Sequence, residues 1–151
     1  MHVIINNMLK EKYLISSLRL SIGFIFIWAF LDKTFGLGFA TTSAKAWIHG
    51  GSPTTGFLSF AVKGPFADIF HSLAGVAVVD WLFMLGLLFV GVTLLTNKLV
   101  KYGCMAGILM LLLMYLALIL PENNPIIDEH IVYIIALVLV AVKSEDKMNT
   151  V

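Results

Sequence analysis

A handful of acidic, imidazole and aromatic side chains interrupt the long apolar runs of this sequence. Asp32 and Lys33 close the first run, Asp80 and Trp81 stand near the start of the second, and Glu122, Asn123 and Asn124 end the third. Asp128, Glu129 and His130 open the fourth. Ionisable groups in membrane-crossing stretches are expensive and mark functional positions by default. Carboxylates near an imidazole suit proton handling, because histidine titrates close to neutral pH. Asp80, His130 and Glu129 are therefore the candidate catalytic groups. A Lys33–Asp80 or Lys33–Asp32 pairing would offset the desolvation of these charges. The rival reading of the whole set is interhelical hydrogen bonding that only holds helices together. His49, His71 and His130, with Asp128 and Glu129, have the side chains of a metal site. No HxxxH or HExxH spacing is present, and no metal is expected.

The elements that must position these groups follow from composition. Of 151 residues, 60% are hydrophobic and 13% charged, against about 45–50% and about 25% in soluble domains. Disorder needs the opposite balance. A net charge of +1 without a basic block argues against nucleic acid as a partner. Cys104 is the only cysteine, which excludes an internal disulfide and a CxxC redox pair. The expectation is a single all-α integral membrane domain over 1–151, in contact with the lipid bilayer.

A span needs about 20 apolar residues, and four stretches supply them or nearly do: 13–31, 76–95, 99–120 and 126–142. The first has a basic front, Lys10 and Lys12, but Arg19 interrupts it and no small-residue cleavage site follows, so it reads as a retained helix. Arg19 itself reads as an anchor that snorkels to the nearer interface. Four spans place both termini on one side with Lys10, Lys12, Arg19, Lys98, Lys101, Lys143 and Lys147, leaving Lys33, Lys45 and Lys63 on the other. The positive-inside rule makes the first side cytoplasmic. The result is a four-transmembrane-helix bundle with one long external loop, 35–75. Within that loop Ser43 is expected to cap a short amphipathic helix over 44–49, Thr55 one over 56–62, and Gly64-Pro65 to open a third reaching Ser72. These helices lie on the outer interface or form a lid over the bundle end.

Helical spacing groups Ser17, Ser21, Trp28 and Asp32 on one face of the first span, and Asp80, Met84, Leu87 and Gly91 on one face of the second. Glu129, His130, Tyr133 and Ile134 share a face of the fourth. Turned inward, these faces would make a pocket of carboxylates, imidazole, phenol and indole at the outer end. Gly103-x-x-x-Gly107 suits close helix packing.

The stretches LRLSIGFIFIWAFLDKTFGLGFAT (18–41), SAKAWIHGGSPTTGFL (43–58), GPFADIFHSLAG (64–75), VDWLFMLGLL (79–88) and PENNPIIDEHIVYIIAL (121–137) resemble the DoxX/DoxD-like membrane family. Its quinone-linked members include the large subunit of thiosulfate:quinone oxidoreductase. The resemblance implies a bacterial or archaeal plasma membrane, oxidation of thiosulfate to tetrathionate, and reduction of quinone, bound as a substrate, to quinol. It also implies a partner subunit or larger membrane complex, with a homo-oligomer as another arrangement. Under that reading Lys33 and His71 are cations or potential cations for a small dianion. Trp28, Trp81 and Tyr133 would border a quinone ring beside Asp32, and Asp80, Glu129 and His130 would relay protons. The sequence carries no flavin, haem or iron–sulfur motif. The alternative is a non-catalytic integral subunit that scaffolds a larger complex, with the Gly103–Gly107 face turned to a partner.

Overall fold

The computed structural model describes residues 2–119, 121, 124 and 126–148. Of the predicted polar positions, Glu122 and Asn123 lie outside the described residues. The described chain is helical, without a strand. Its α-helices are α1 (His2–Phe35), α2 (Ala67–His71), α3 (Ala77–Thr96), α4 (Val100–Ala117) and α5 (Glu129–Met148). Three are long and apolar enough to cross a membrane: α1 over Lys10–Phe35, α3 over Ala77–Thr96 and α4 over Val100–Ala117. In α5 the uninterrupted apolar run is 131–142, between Glu129 and Lys143. That run rises about 18 Å, against a hydrocarbon core of about 30 Å.

The long helices pack in a ring. α1 lies along α3, α3 along α4, and α4 along α5, while α5 returns to α1 over a smaller contact. Ile22 and Phe26 of α1, Met84, Leu87, Val90 and Leu94 of α3, Cys104 and Leu111 of α4, and Leu137 and Val140 of α5 fill the interior. The outward faces are equally apolar: Val78, Leu82 and Leu85 of α3 and Ile135 and Val142 of α5 are all more than half exposed. A surface of that kind has lipid as its solvent, and close packing, not exclusion from water, must then hold helix to helix.

Glycine makes that packing possible. A Cβ on Gly91 would lie 2.9 Å from the backbone nitrogen of Ile27, so α1 and α3 approach backbone to backbone there. A Cβ on Gly103 would collide with Thr93 of α3, and one on Gly107 would stand 2.9 Å from Leu137 of α5. Both halves of the Gly103–Gly107 pair are thus taken up inside the chain, not turned to a partner. The predicted inward face of α1 holds only at one end. Asp32 is buried and Trp28 half-buried, but Ser17 and Ser21 are exposed, because Ile22 and Phe26 fill more volume against α3.

Arg19 turns inward rather than to the interface: its guanidinium donates to the carbonyl of Leu94. That carbonyl is in the last turn of α3, where helical partners run out and positive charge is favoured. At the same end Lys143 of α5 meets Glu11 of α1 at 2.5 Å, an exposed pair contributing at most about 1 kcal/mol.

Between α1 and α3 the chain makes two 3₁₀ turns (Ser43–Lys45 and Trp47–His49), a π turn (Phe57–Ala61) and α2. These are shorter than the predicted helices. Ser43 lies within its turn, which Thr42 precedes without a side-chain cap. Thr55 gives its hydroxyl to Ser52. Neither Ser43 nor Thr55 caps a helix as expected.

Gly91→Val should lower stability by about 1–3 kcal/mol through overpacking, read as an earlier thermal unfolding transition in detergent. Gly56→Ala, whose Cβ meets nothing within 4 Å at a φ of −59°, should leave the transition in place or raise it slightly.

Candidate functional site

The ends of α1, α4 and the starts of α3, α5 lie together at the end of the bundle that carries the 36–76 connection. Three carboxylates are placed there, and each is held differently. Asp32, 2% exposed, accepts the backbone N–H of Phe39 at 3.2 Å and of Ala40 at 3.0 Å. It folds the chain leaving α1 back onto the helix, through Gly36 and Gly38, both at positive φ.

Asp80 is buried in the first turn of α3. One of its oxygens accepts the hydroxyl of Ser52 at 2.8 Å, the hydroxyl of Thr54 at 2.5 Å and the N–H of Thr54 at 3.2 Å. Thr55 adds its own N–H and hydroxyl to Ser52. Hydroxyl and amide donors satisfy the carboxylate in place of an ion pair. Between the two residues held by Asp80 stands Pro53, whose carbonyl accepts the Lys33 ammonium at 3.1 Å. Lys33 also lies 5.7 Å from the centroid of the Phe83 ring, within cation–π range. Asp80 therefore fixes Lys33 at second hand, through Pro53.

Asp128 lies in the connection ahead of α5, because the helix starts at Glu129, three residues later than the predicted span. One carboxylate oxygen accepts the N–H groups of His130 and Ile131 at 3.0 and 3.3 Å, as an N-cap does. The other meets Nδ1 of His130 at 2.7 Å. Desolvation alone would raise the Asp128 pKa. The His130 side chain, the Ile131 N–H, the His130 charge and the His130 N–H together outweigh it and hold the carboxyl below its ordinary range.

His130 is 6% exposed, and among the described residues its ring bonds only to Asp128. No sealed side-chain nitrogen or oxygen lacks a partner. The ring also lines a cavity. That cavity, about 220 Å³, sits among all four long helices. Lys33, Glu129, His130 and Tyr133 line it together with Phe26, Phe83, Met110 and Met114, and the surface they present to it is almost wholly apolar. A second hollow of about 280 Å³ lies on the exposed side of α1. Trp28, Asp32, Phe39 and Phe24 border it, and the Trp28 and Phe39 rings meet edge to face at 5.1 Å.

The cavity thus gathers four of the predicted site residues, Lys33, Glu129, His130 and Tyr133. Trp28 and Asp32 border the outer hollow instead. Asp80 is occupied by the connection. Trp81 is exposed and packs edge to face on Trp47 at 4.6 Å, and His71 of α2 donates to the Leu58 carbonyl at 2.6 Å. Sequence reasoning noted Asp128 at the head of the fourth span but left it out of the candidate catalytic and binding residues, and it passed over Ser52 and Thr54. An acid before the apolar run of α5 is an N-cap signal that points to Asp128. Nothing in the sequence pairs Ser52 and Thr54 with Asp80. Among the described residues no three metal-ligating side chains converge.

Chemically, an almost wholly apolar cavity of this size suits a lipophilic group. No family model, no curated protein and no solved structure matches the chain.

Asp80→Ala should release the Ser52–Thr54 segment and with it Lys33. The expected outcome is faster amide exchange over 50–56 and a loss of about 3 kcal/mol, since bonds to a charged acceptor contribute about 1.5–3 kcal/mol each. Asp128→Asn should destabilise at neutral pH. A carboxyl whose folded pKa is lowered stabilises the fold above its unfolded value, near about 3.9, and that contribution is lost as pH falls through the lowered folded value. Denaturation of wild type and variant should therefore differ at pH about 7 and converge in strong acid.

Proposed function

We propose that this chain is a quinone-linked membrane oxidoreductase subunit whose quinone head occupies the cavity beside Lys33, His130 and Tyr133. The observation that carries the reading is the His130 ring. Asp128 holds its Nδ1, and His130, Lys33 and Tyr133 line the same apolar cavity. A quinone presents two carbonyl oxygens across a flat ring. One can accept from His130 Nε2–H and the other from Lys33 or the Tyr133 hydroxyl, while Phe26 and Phe83 border the ring. On reduction each carbonyl oxygen takes a proton as the ring takes an electron pair. Asp128 holds His130 by Nδ1, so His130 passes one proton and Lys33 or Tyr133 the other, both restored from water by way of Glu129, which is exposed at the cavity rim.

In this reading α5 is the fourth span, packed along α4, with its charged ends at the two interfaces. Both termini are cytoplasmic in a bacterial or archaeal plasma membrane, and the 36–76 connection faces outward. The resemblance to the DoxX/DoxD-like family supports thiosulfate as donor: two thiosulfates each lose one electron, join through a new S–S bond as tetrathionate, and the quinone gains both electrons and two protons. A partner subunit would bring the donor to the outer end. The scaffold alternative drew on the Met- and Leu-rich third span and its Gly103–Gly107 stripe; the fold uses the two glycines within the chain, while Met105, Leu109, Leu112 and Leu113 of α4 stay exposed.

The test is equilibrium binding of a tailless benzoquinone to the protein in lipid nanodiscs. Wild type should bind, and His130→Ala and Lys33→Ala should each weaken binding about tenfold or more, the worth of one charge-assisted hydrogen bond. Absence of binding, or binding that neither substitution alters, would overturn the assignment. With co-purified partners present, thiosulfate-dependent quinone reduction should fall with the same variants.

A further inference from the structure

The chain does not move away from the bundle where α1 ends. From Thr34 to Ala44 it carries no ionisable side chain, and Phe35, Leu37 and Phe39 are 49%, 45% and 74% exposed. The Phe39 ring meets Trp28 edge to face at 5.1 Å, and Trp28 stacks on Phe24 at 6.0 Å. Trp28 stands seven residues before the end of α1, about 10 Å along its axis, and helix side chains lean further toward the N-terminus. The segment that follows α1 therefore doubles back along the helix. The apolar stretch Lys10–Phe35 rises about 39 Å. Centred on a hydrocarbon core of about 30 Å, it puts Trp28 about 6 Å inside that core, and the ring contact draws Phe39 into the same layer.

We propose that residues 36–41 are a re-entrant segment lying in the outer leaflet against α1, covered by lipid acyl chains, and that the buried Asp32 carboxylate anchors it there by satisfying its amides. Irregular backbone at membrane depth must find its hydrogen-bond partners within the protein. Here the Gly36 N–H gives to the Asp32 carbonyl at 2.8 Å and the Gly38 N–H to the Thr41 carbonyl at 3.0 Å. The N–H groups of Phe39 and Ala40 go one to each carboxylate oxygen of Asp32, which is 2% exposed. A loop in water has its amides solvated and needs no carboxylate withdrawn from solvent to receive them. The exposed side chains of the segment continue the apolar outer face of α1, where Leu20 is 43% and Phe24 58% exposed. That face has lipid as its solvent, and its continuity with Leu37 and Phe39 assigns the same cover to both. Lys45, exposed in the first 3₁₀ turn, is the first charge after Lys33, and marks the return of the chain to the polar interface. The inference does not depend on what the inner cavity binds.

The experiment is nitroxide labelling of single introduced cysteines in the full chain in lipid nanodiscs. It reads collision with oxygen, which dissolves in lipid, against collision with a water-soluble nickel chelate. Cys104 is fully buried, and labelling of the unsubstituted chain verifies that it stays unmodified. Leu37→Cys and Ala40→Cys report on the segment and leave the Phe39–Trp28 contact in place. Leu85→Cys, on the exposed face of α3, is the lipid reference, and Lys45→Cys the reference for the polar interface. The oxygen-to-nickel ratio at 37 and 40 should match that at 85 and exceed that at 45 about tenfold or more, because a polar chelate is excluded from hydrocarbon. Nickel access at 37 and 40 equal to that at 45 would mean a water-exposed lid, and overturns the proposal. Protection from both reagents would mean cover by a second copy or another protein, and overturns it equally. Asp32→Ala should shift the label at 40 toward the ratio at 45, with Asp32→Asn, which keeps one acceptor oxygen, in between. An unshifted label in both overturns the anchoring role of Asp32, while the labels on the otherwise unchanged chain decide the placement even where Asp32→Ala does not fold.

Discussion

A carboxylate withdrawn from water must be given donors, or it costs more than a helix bundle can offset. Here Asp32, Asp80 and Asp128 are all covered at the same end of the bundle. Asp32 and Asp80 take their donors from the connection between α1 and α3, the Phe39 and Ala40 amides and the Ser52 and Thr54 hydroxyls, and Asp128 takes its own from the first turn of α5, the His130 ring and the His130 and Ile131 amides. The need to satisfy these charges fixes the connection between α1 and α3 onto the bundle. Without it, that segment would have only short turns and a five-residue helix of its own.

From this follows the form of the cavity. Pro53 is held in place because both its neighbours bond Asp80, and the Pro53 carbonyl in turn receives Lys33. Lys33 so placed borders the cavity. At the head of α5, Asp128 caps the helix and holds His130 Nδ1 with the same carboxylate. Neither cavity-lining cation is positioned by its own helix alone. Each is oriented by an acid that lies outside the cavity, so acids and the groups they orient should be considered in pairs at this end of the molecule.

Much of the architecture was legible in advance. Long apolar runs dictate long helices, because a backbone in lipid must satisfy its own polar groups, and α3 and α4 begin within a residue or so of the expected places. The polar exceptions were also marked correctly as unusual. Their roles were not legible. Asp80 looks like a proton carrier in one dimension, yet Ser52 and Thr54, far away in sequence, close around it. Trp81 shares the depth of Asp80 but points the other way, toward Trp47 and the exterior. Periodicity placed Ser17 and Ser21 on the Asp32 face, but it could not weigh their small volume against that of Ile22 and Phe26.

The sequence by itself determined that the chain is helical, that helices α1, α3 and α4 are apolar enough for a bilayer, and that its few charges gather at helix ends. These are properties of local composition and period, which a chain carries in any fold. Only the tertiary structure decided which charges are covered and which open on a cavity. It decided, too, that Gly103 and Gly107 serve contacts within the chain, and that Lys33, Glu129, His130 and Tyr133 line one cavity while Asp80 and His71 do not. Those outcomes depend on how side chains from distant segments compete for the same volume and the same donors. No spacing along the chain records that competition.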